Sequence, residues 1–148
     1  MVKDAINHHK DEINRYLLPW IHRVSCLNRT VLTEVLTNKQ PRRPDICVIT
    51  NQQAQSIEST SAILKTAPPL LVEVVSPESV DRDYNQKTSE YAAIGVVEYW
   101  IVDPLKNKVT VCLLDNGSYK QTVFTGNQLI ISQTFAGLTL TAQQVFSA

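Results

Sequence analysis

The sequence predicts an α/β domain built on a mixed β-sheet flanked by helices. Three observations lead there. Residues 70–103 read as strand, helix, strand, and that span has the length of a parallel crossover. Two runs rich in β-branched residues precede it, set as antiparallel neighbours around a short basic turn. Asn116-Gly117 separates two further runs, which is a strong hairpin signal. At 148 residues the chain fits one domain, 1–148, long enough to bury a core without disulfides or structural metal.

The elements follow in order. Ile6, Ile13, Tyr16 and Leu17 recur at helical spacing among charges and predict a helix from about Val2 to Leu18, limited by Pro19. RTVLTEVLTNK alternates and reads as one strand. The basic turn KQPRRP leads to a second strand, DICVIT. Residues 51–67 are polar, then weakly apolar, and predict a loop with one short helical turn. LLVEVV, from residue 70, is the third strand. A helix follows, with Ser79 or Ser76 as cap, Pro77 early and Gly95 at its C-terminal end. VEYWIVDP is a fourth strand, mostly core, stopped by Pro104. KVTVCLLD and SYKQTVF form the hairpin, and the tail from Asn127 gives a short strand and a closing turn or helix.

Composition narrows the function classes. Hydrophobic residues make up 43% and charged residues 19%, ordinary for a globular protein, and the formal net charge is zero. No basic field advertises nucleic acid, although a local basic groove stays open. Cys26, Cys47 and Cys112 are widely spaced and form no CxxC pair, so neither zinc nor a disulfide framework is expected, and a reducing cytosol fits best. No apolar run reaches the length of a membrane span, and MVKDAINHHKDEINRY has no signal-peptide core. Neither GxGxxG nor GxxxxGK[ST] occurs, which removes the usual nucleotide cradles.

One residue breaks the apolar third strand. Glu73 shares a face with Leu71 and Val75, and a buried carboxylate needs a cation, donors or a proton. A partner Arg or Lys at a sheet edge would satisfy it. So would a second carboxylate with a divalent ion. Asp45 opens the preceding strand just after Pro44, and if the strands are neighbours both acids approach one point. Hard oxygens suit Mg²⁺ or Mn²⁺. Asp83, Lys87 and Tyr91 fall at i, i+4 and i+8, so the following helix can bring the Lys87 ammonium to that point, unless Asp83 and Lys87 form an exposed ion pair instead.

The runs PDICVI, PPLLVEVVSPES and D-x-x-x-K-x-x-x-Y-A-A-I-G-V-x-E-Y-W-I-V-D-P, with the closing GLTLTAQQVF, resemble the Uma-two (Uma2) family of restriction endonucleases in the PD-(D/E)XK nuclease superfamily. The likeness runs from about Pro41 to the C-terminus. It implies a restriction-endonuclease-like core and Mg²⁺-dependent phosphodiester hydrolysis, with DNA as substrate; since cutting both strands calls for two active sites, a homodimer is expected. Asp45 matches the PD aspartate and Glu73 the second acid. Val75 stands where the superfamily usually has its lysine, so the resemblance moves that role to Lys87 on the helix. It also implies Glu12 or His9 as an accessory group on the first helix, unless both are solvated helix residues; the Val74 carbonyl is a further candidate metal ligand completing the shell of Asp45 and Glu73. Arg42 and Arg43 are candidate phosphate contacts, or a solvated basic turn. The competing expectation is a catalytically degenerate nuclease-like module that binds a partner or dimerises.

Overall fold

The computed structural model describes residues 2–59 and 63–147, with side chains described from residue 8 and, within α2, up to residue 57. Among them runs a six-stranded mixed sheet in the order β1-β4-β6-β7-β8-β9. Its strands are β1 (Leu27–Val31), β4 (Ile46–Thr50), β6 (Leu70–Val74), β7 (Glu98–Asp103), β8 (Lys108–Asp115) and β9 (Ser118–Thr125). Only β6 and β7 pair in parallel; the other neighbours are antiparallel, as the crossover and the hairpin require. At the hairpin Asn116 and Gly117 both have positive φ, 52° and 85°, the backbone of a two-residue turn that follows strand twist.

One face of the sheet is covered by α1 (Val2–Ile21) and the short α4 (Ala142–Phe146). Ile13, Leu17 and Ile21, spaced by four, are fully buried there with Val48, Val72, Trp100 and Val102. The helix continues through Pro19, beyond the expected end, because Ile21 is packed into the core and the His22 amide still bonds the Leu18 carbonyl at 3.2 Å. α4 is started by a capping box in which Thr141 and Gln144 exchange side-chain and backbone bonds.

The other face carries Leu71, Val75, Tyr99 and Ile101 under Tyr91 of α3 (Lys87–Ala93). The expected single helix over 76–95 is interrupted. Residues Arg82–Gln86 form a π-helical turn, in which the Lys87 amide bonds the Arg82 carbonyl, and only then does α3 begin. Ser79 is not its cap: its hydroxyl donates to the Asp83 carboxylate at 2.6 Å.

Three further expectations change. RTVLTEVLTNK is not one strand, because β1 ends at Val31 and β2 (Glu34–Leu36) leaves for a second sheet, ordered β3-β2-β5. In that sheet β3 is Pro41–Arg42, inside the predicted turn, and β5 is Ile63–Leu64. Residues 51–67 hold more than one helical turn: α2 spans Asn51–Ser59. In the hairpin, Val109 and Val111 are buried in the core, while Val123 is exposed on β9.

Candidate active site

The register of β4 against β6 sets the two acids together. Ile46 pairs with Val72, so one step further Asp45 stands opposite Glu73, and directly opposed residues point to the same side of a sheet. The Asp45 amide donates to Glu73 Oε1 at 3.3 Å, and Asp45 Oδ2 accepts the Val74 amide at 2.6 Å. The ladder stops there, because Asp45 is a bend and its carboxylate takes the Val74 amide in place of a backbone carbonyl. In an extended strand a residue's N–H and C=O point the same way. The Val74 amide faces Asp45, so the Val74 carbonyl lies on that same edge of β6.

The helix completes the cluster. Lys87 Nζ lies 3.1 Å from Glu73 Oε2 and 2.9 Å from Asp83 Oδ1, and the Tyr91 hydroxyl donates to Glu73 Oε2 at 2.8 Å. The Asp83–Lys87 pair is thus buried against the sheet rather than solvated. Burial pushes the Glu73 carboxyl up to about 8; Lys87 pulls the other way, while the Asp45 and Asp83 charges add to the rise. Burial alone would lower Lys87, but the Glu73 and Asp83 carboxylates outweigh it and hold the ammonium above its ordinary value.

The structure therefore brings Asp45, Glu73 and Lys87 together, with the Val74 carbonyl beside them. It adds Tyr91 and Asp83, which hold Glu73 and Lys87. Tyr91 is both packed on the sheet and bonded to the acid. The remaining candidates lie elsewhere. Glu12, largely covered, is tied to the exposed Arg15 of its own helix. His9 packs edge-on to Phe146 of α4, at 5.9 Å between ring centroids, and burial lowers its pKa. The residue of α1 that does line the cavity beside Asp45 is Asn14. At about 100° per residue, Glu12 sits some 200° around the helix from it. Arg42 is committed inside the protein: its Nη2 is 2.6 Å from Glu90 Oε2 and its Nε donates to Glu90 Oε1 at 3.2 Å. Arg43 is exposed.

The donors suit a hard divalent ion. Asp45 Oδ1 has no hydrogen-bond donor among the described residues, Glu73 Oε1 has only the Asp45 amide, and the Val74 carbonyl adds a third oxygen. No group of three His, Cys, Asp or Glu converges among the described residues. Mg²⁺, which keeps several waters and takes one or two carboxylates, fits that set.

A family model described as "Putative restriction endonuclease", Uma2, matches residues 3–143. The chain belongs to the Uma2 family. No curated protein matches it. A crystal structure from Anabaena variabilis, described as a "putative nuclease belonging to DUF820", superposes with a TM-score of 0.80 at 19% identity. The match covers 96% of this chain and 80% of that one, so the two share a fold over nearly the whole domain. Within this Uma2 fold the opposed acids lie at the end of the β4–β6 ladder, beside the parallel crossover. No helix among the described residues is long and apolar enough to cross a membrane.

Proposed function

We propose that this Uma2 chain is a metal-dependent endonuclease that hydrolyses phosphodiester bonds in DNA. The observation that supports it is the pairing of Asp45 across from Glu73, with Lys87 on the same Glu73 carboxylate. Asp45, Glu73 and the Val74 carbonyl would hold Mg²⁺ or Mn²⁺, whose chemistry when bound is polarisation of the scissile phosphate and acidification of a water.

The chain's own groups do the rest. The Val74 amide fixes Asp45 through Oδ2 and leaves Oδ1 open. Tyr91 and Lys87 fix Glu73 through Oε2 and leave Oε1 nearly open. Asp83, itself held by Ser79, keeps Lys87 charged and in place. Lys87 then offers a fixed positive charge to the negative charge that grows on the phosphoryl oxygens. Arg43 is the phosphate contact left to the basic turn once Arg42 is bound to Glu90. A homodimer, with one site per DNA strand, and a cytosolic setting complete the reading.

The test is nicking of supercoiled plasmid DNA with Mg²⁺ or Mn²⁺, against an EDTA control. Cleavage by the wild type that falls at least about a hundredfold in both Asp45→Asn and Glu73→Gln is expected. Undiminished cleavage by both variants rules out this site. A second reading, a degenerate module for partner binding or dimerisation, draws on the burial of Glu73, 2% exposed and already matched by Lys87 and Tyr91. Absence of divalent-ion binding at any concentration favours it.

A further inference from the structure

The two edges of the six-stranded sheet differ. β1 is five residues long, shifts register between Leu27 and Arg29, and has α2 packed beside it. β9 is eight residues long, keeps an unbroken register with β8, and contains one charge, Lys120. A bulge or a proline usually blunts an open edge, and β9 has neither. The hairpin fixes which backbone groups stand open. Asp115 and Ser118 close a two-residue turn and exchange both N–H···O bonds, so by alternation Ser118, Lys120, Thr122 and Phe124 bond β8. Tyr119, Gln121, Val123 and Thr125 turn their N–H and C=O outward. Thr125 is met internally: its amide donates to Gln128 Oε1 at 2.8 Å and its carbonyl accepts the Gln128 amide at 3.1 Å. The outward groups of Tyr119, Gln121 and Val123 find no partner among the described residues.

We propose that β9 pairs antiparallel with β9 of a second copy, in a register centred on Gln121, so that the two six-stranded sheets become one. The open groups are complementary to themselves. About that centre Tyr119 faces the partner's Val123, and Gln121 faces the partner's Gln121. Every open N–H and C=O of both copies is then used. Centring on Thr122 leaves Tyr119 against Thr125, which Gln128 already occupies. Centring on Lys120 sets two ammonium groups against each other, whereas the Gln121 register sets Lys120 against the partner's Thr122. On the α3 face the partner's Val123, 48% exposed in the single chain, comes beside Tyr119 at the mouth of a groove of about 410 Å³ lined by Thr88, Ala92, Ser118, Tyr119 and Gln121. Two such grooves widen the strand contact toward the ~800 Å² per partner of a stable interface. A strand from an unrelated protein matches the open groups but not this two-fold repeat of valine and groove. The symmetry axis stands normal to the sheet, so both α3 helices and both candidate sites lie on one face. The proposal deepens the nuclease reading, on which the use of a dimer rests, by giving that dimer its surface.

The experiment measures the mass of the full chain in solution by light scattering over a concentration series, for the wild type, Gln121→Pro, Thr122→Lys and Thr122→Glu. The wild type should reach twice the 16.6 kDa chain mass. Gln121→Pro removes an outward N–H and no bond to β8, so it should fold and stay monomeric. Thr122→Lys sets an ammonium against the partner's Lys120 at two symmetric places and should weaken dimerisation about tenfold, while Thr122→Glu should strengthen it by a similar factor. If Gln121→Pro fails to fold, the opposite signs at residue 122, which is exposed, carry the test alone. A wild type that is monomeric at every concentration, as an edge reserved for a different protein would give, overturns the proposal. So does a dimer whose affinity is the same in both Thr122 variants. Plasmid nicking read in parallel separates the two readings. Nicking by a monomeric wild type overturns the interface and leaves the metal site standing; a dimer of this register that does not nick does the reverse.

Discussion

Two glutamates stand on adjacent parallel strands of one sheet, both buried, and they are held in opposite ways. Glu98, at the start of β7, is completely covered. Its Oε2 accepts from the Trp100 indole at 2.6 Å and the Ser132 hydroxyl at 2.7 Å. Its Oε1 accepts from the Gln133 amide and from the amide and hydroxyl of Thr134, at 2.8–3.0 Å. Glu73 on β6 has Lys87 and Tyr91 on one oxygen and a single long amide contact on the other. Glu98 is a clamp that ties the C-terminal segment to the sheet. Glu73 keeps acceptor capacity facing Asp45. Burial alone does not mark a functional carboxylate; incomplete satisfaction next to a second acid does.

Cleavage is where the two should part most widely. Lys87→Met removes the positive charge and should lower plasmid nicking by about 10²–10³-fold. Glu98→Gln, which touches no group of the site, should retain nicking. Equal losses in the two variants would erase the distinction.

Stability should part them next, with opposite signs. Glu98→Ala strips the acceptor from five donors, two of them fully buried, and should cost about 3 kcal/mol or more in a urea melt. Glu73→Gln should do the reverse in EDTA at alkaline pH. The unfolded carboxyl titrates near its ordinary value, about 4.3, and the folded one at about 8. The folded state binds the proton more tightly, so the wild type loses stability as pH rises through that window, and the loss is complete above pH 8. Glu73→Gln carries no such proton. Its advantage over the wild type should grow across the window to the order of a few kcal/mol. Parallel pH curves for the two proteins would show that Glu73 is as well matched as Glu98.

The smallest effect is a control that bears on neither carboxylate. Gly117 has φ +85°, and an added Cβ would meet nothing within 4 Å. Gly117→Ala therefore strains only the backbone, should cost about 1 kcal/mol, and should leave nicking and the pH curve unchanged.

Much of this contrast was legible in the sequence. Glu73 interrupts an apolar strand, Asp45 follows a proline, and the strand–helix–strand length forces the parallel pairing that seats Lys87 over the sheet. Asn116-Gly117 gave away the hairpin. What stayed hidden had physical reasons. Strands of two residues, Pro41–Arg42 and Ile63–Leu64, are too short to show alternation. The π-helical turn sets Asp83 and Lys87 against the sheet, a tertiary arrangement with no local signature. Arg42 finds Glu90 across 48 positions, so its use as an internal tie could not be read from the basic turn. Glu98 pointed the other way, its five donors lying on its own strand and on residues 132–134 of an irregular segment.

The most direct measurement is calorimetric titration of Mg²⁺ and Mn²⁺ into the wild type, Glu73→Gln and Glu98→Gln, each confirmed folded by circular dichroism. Submillimolar binding in the wild type and in Glu98→Gln, absent in Glu73→Gln, is the predicted outcome. Binding that survives Glu73→Gln unchanged, or a wild type that gives no binding heat with either ion, would contradict the account.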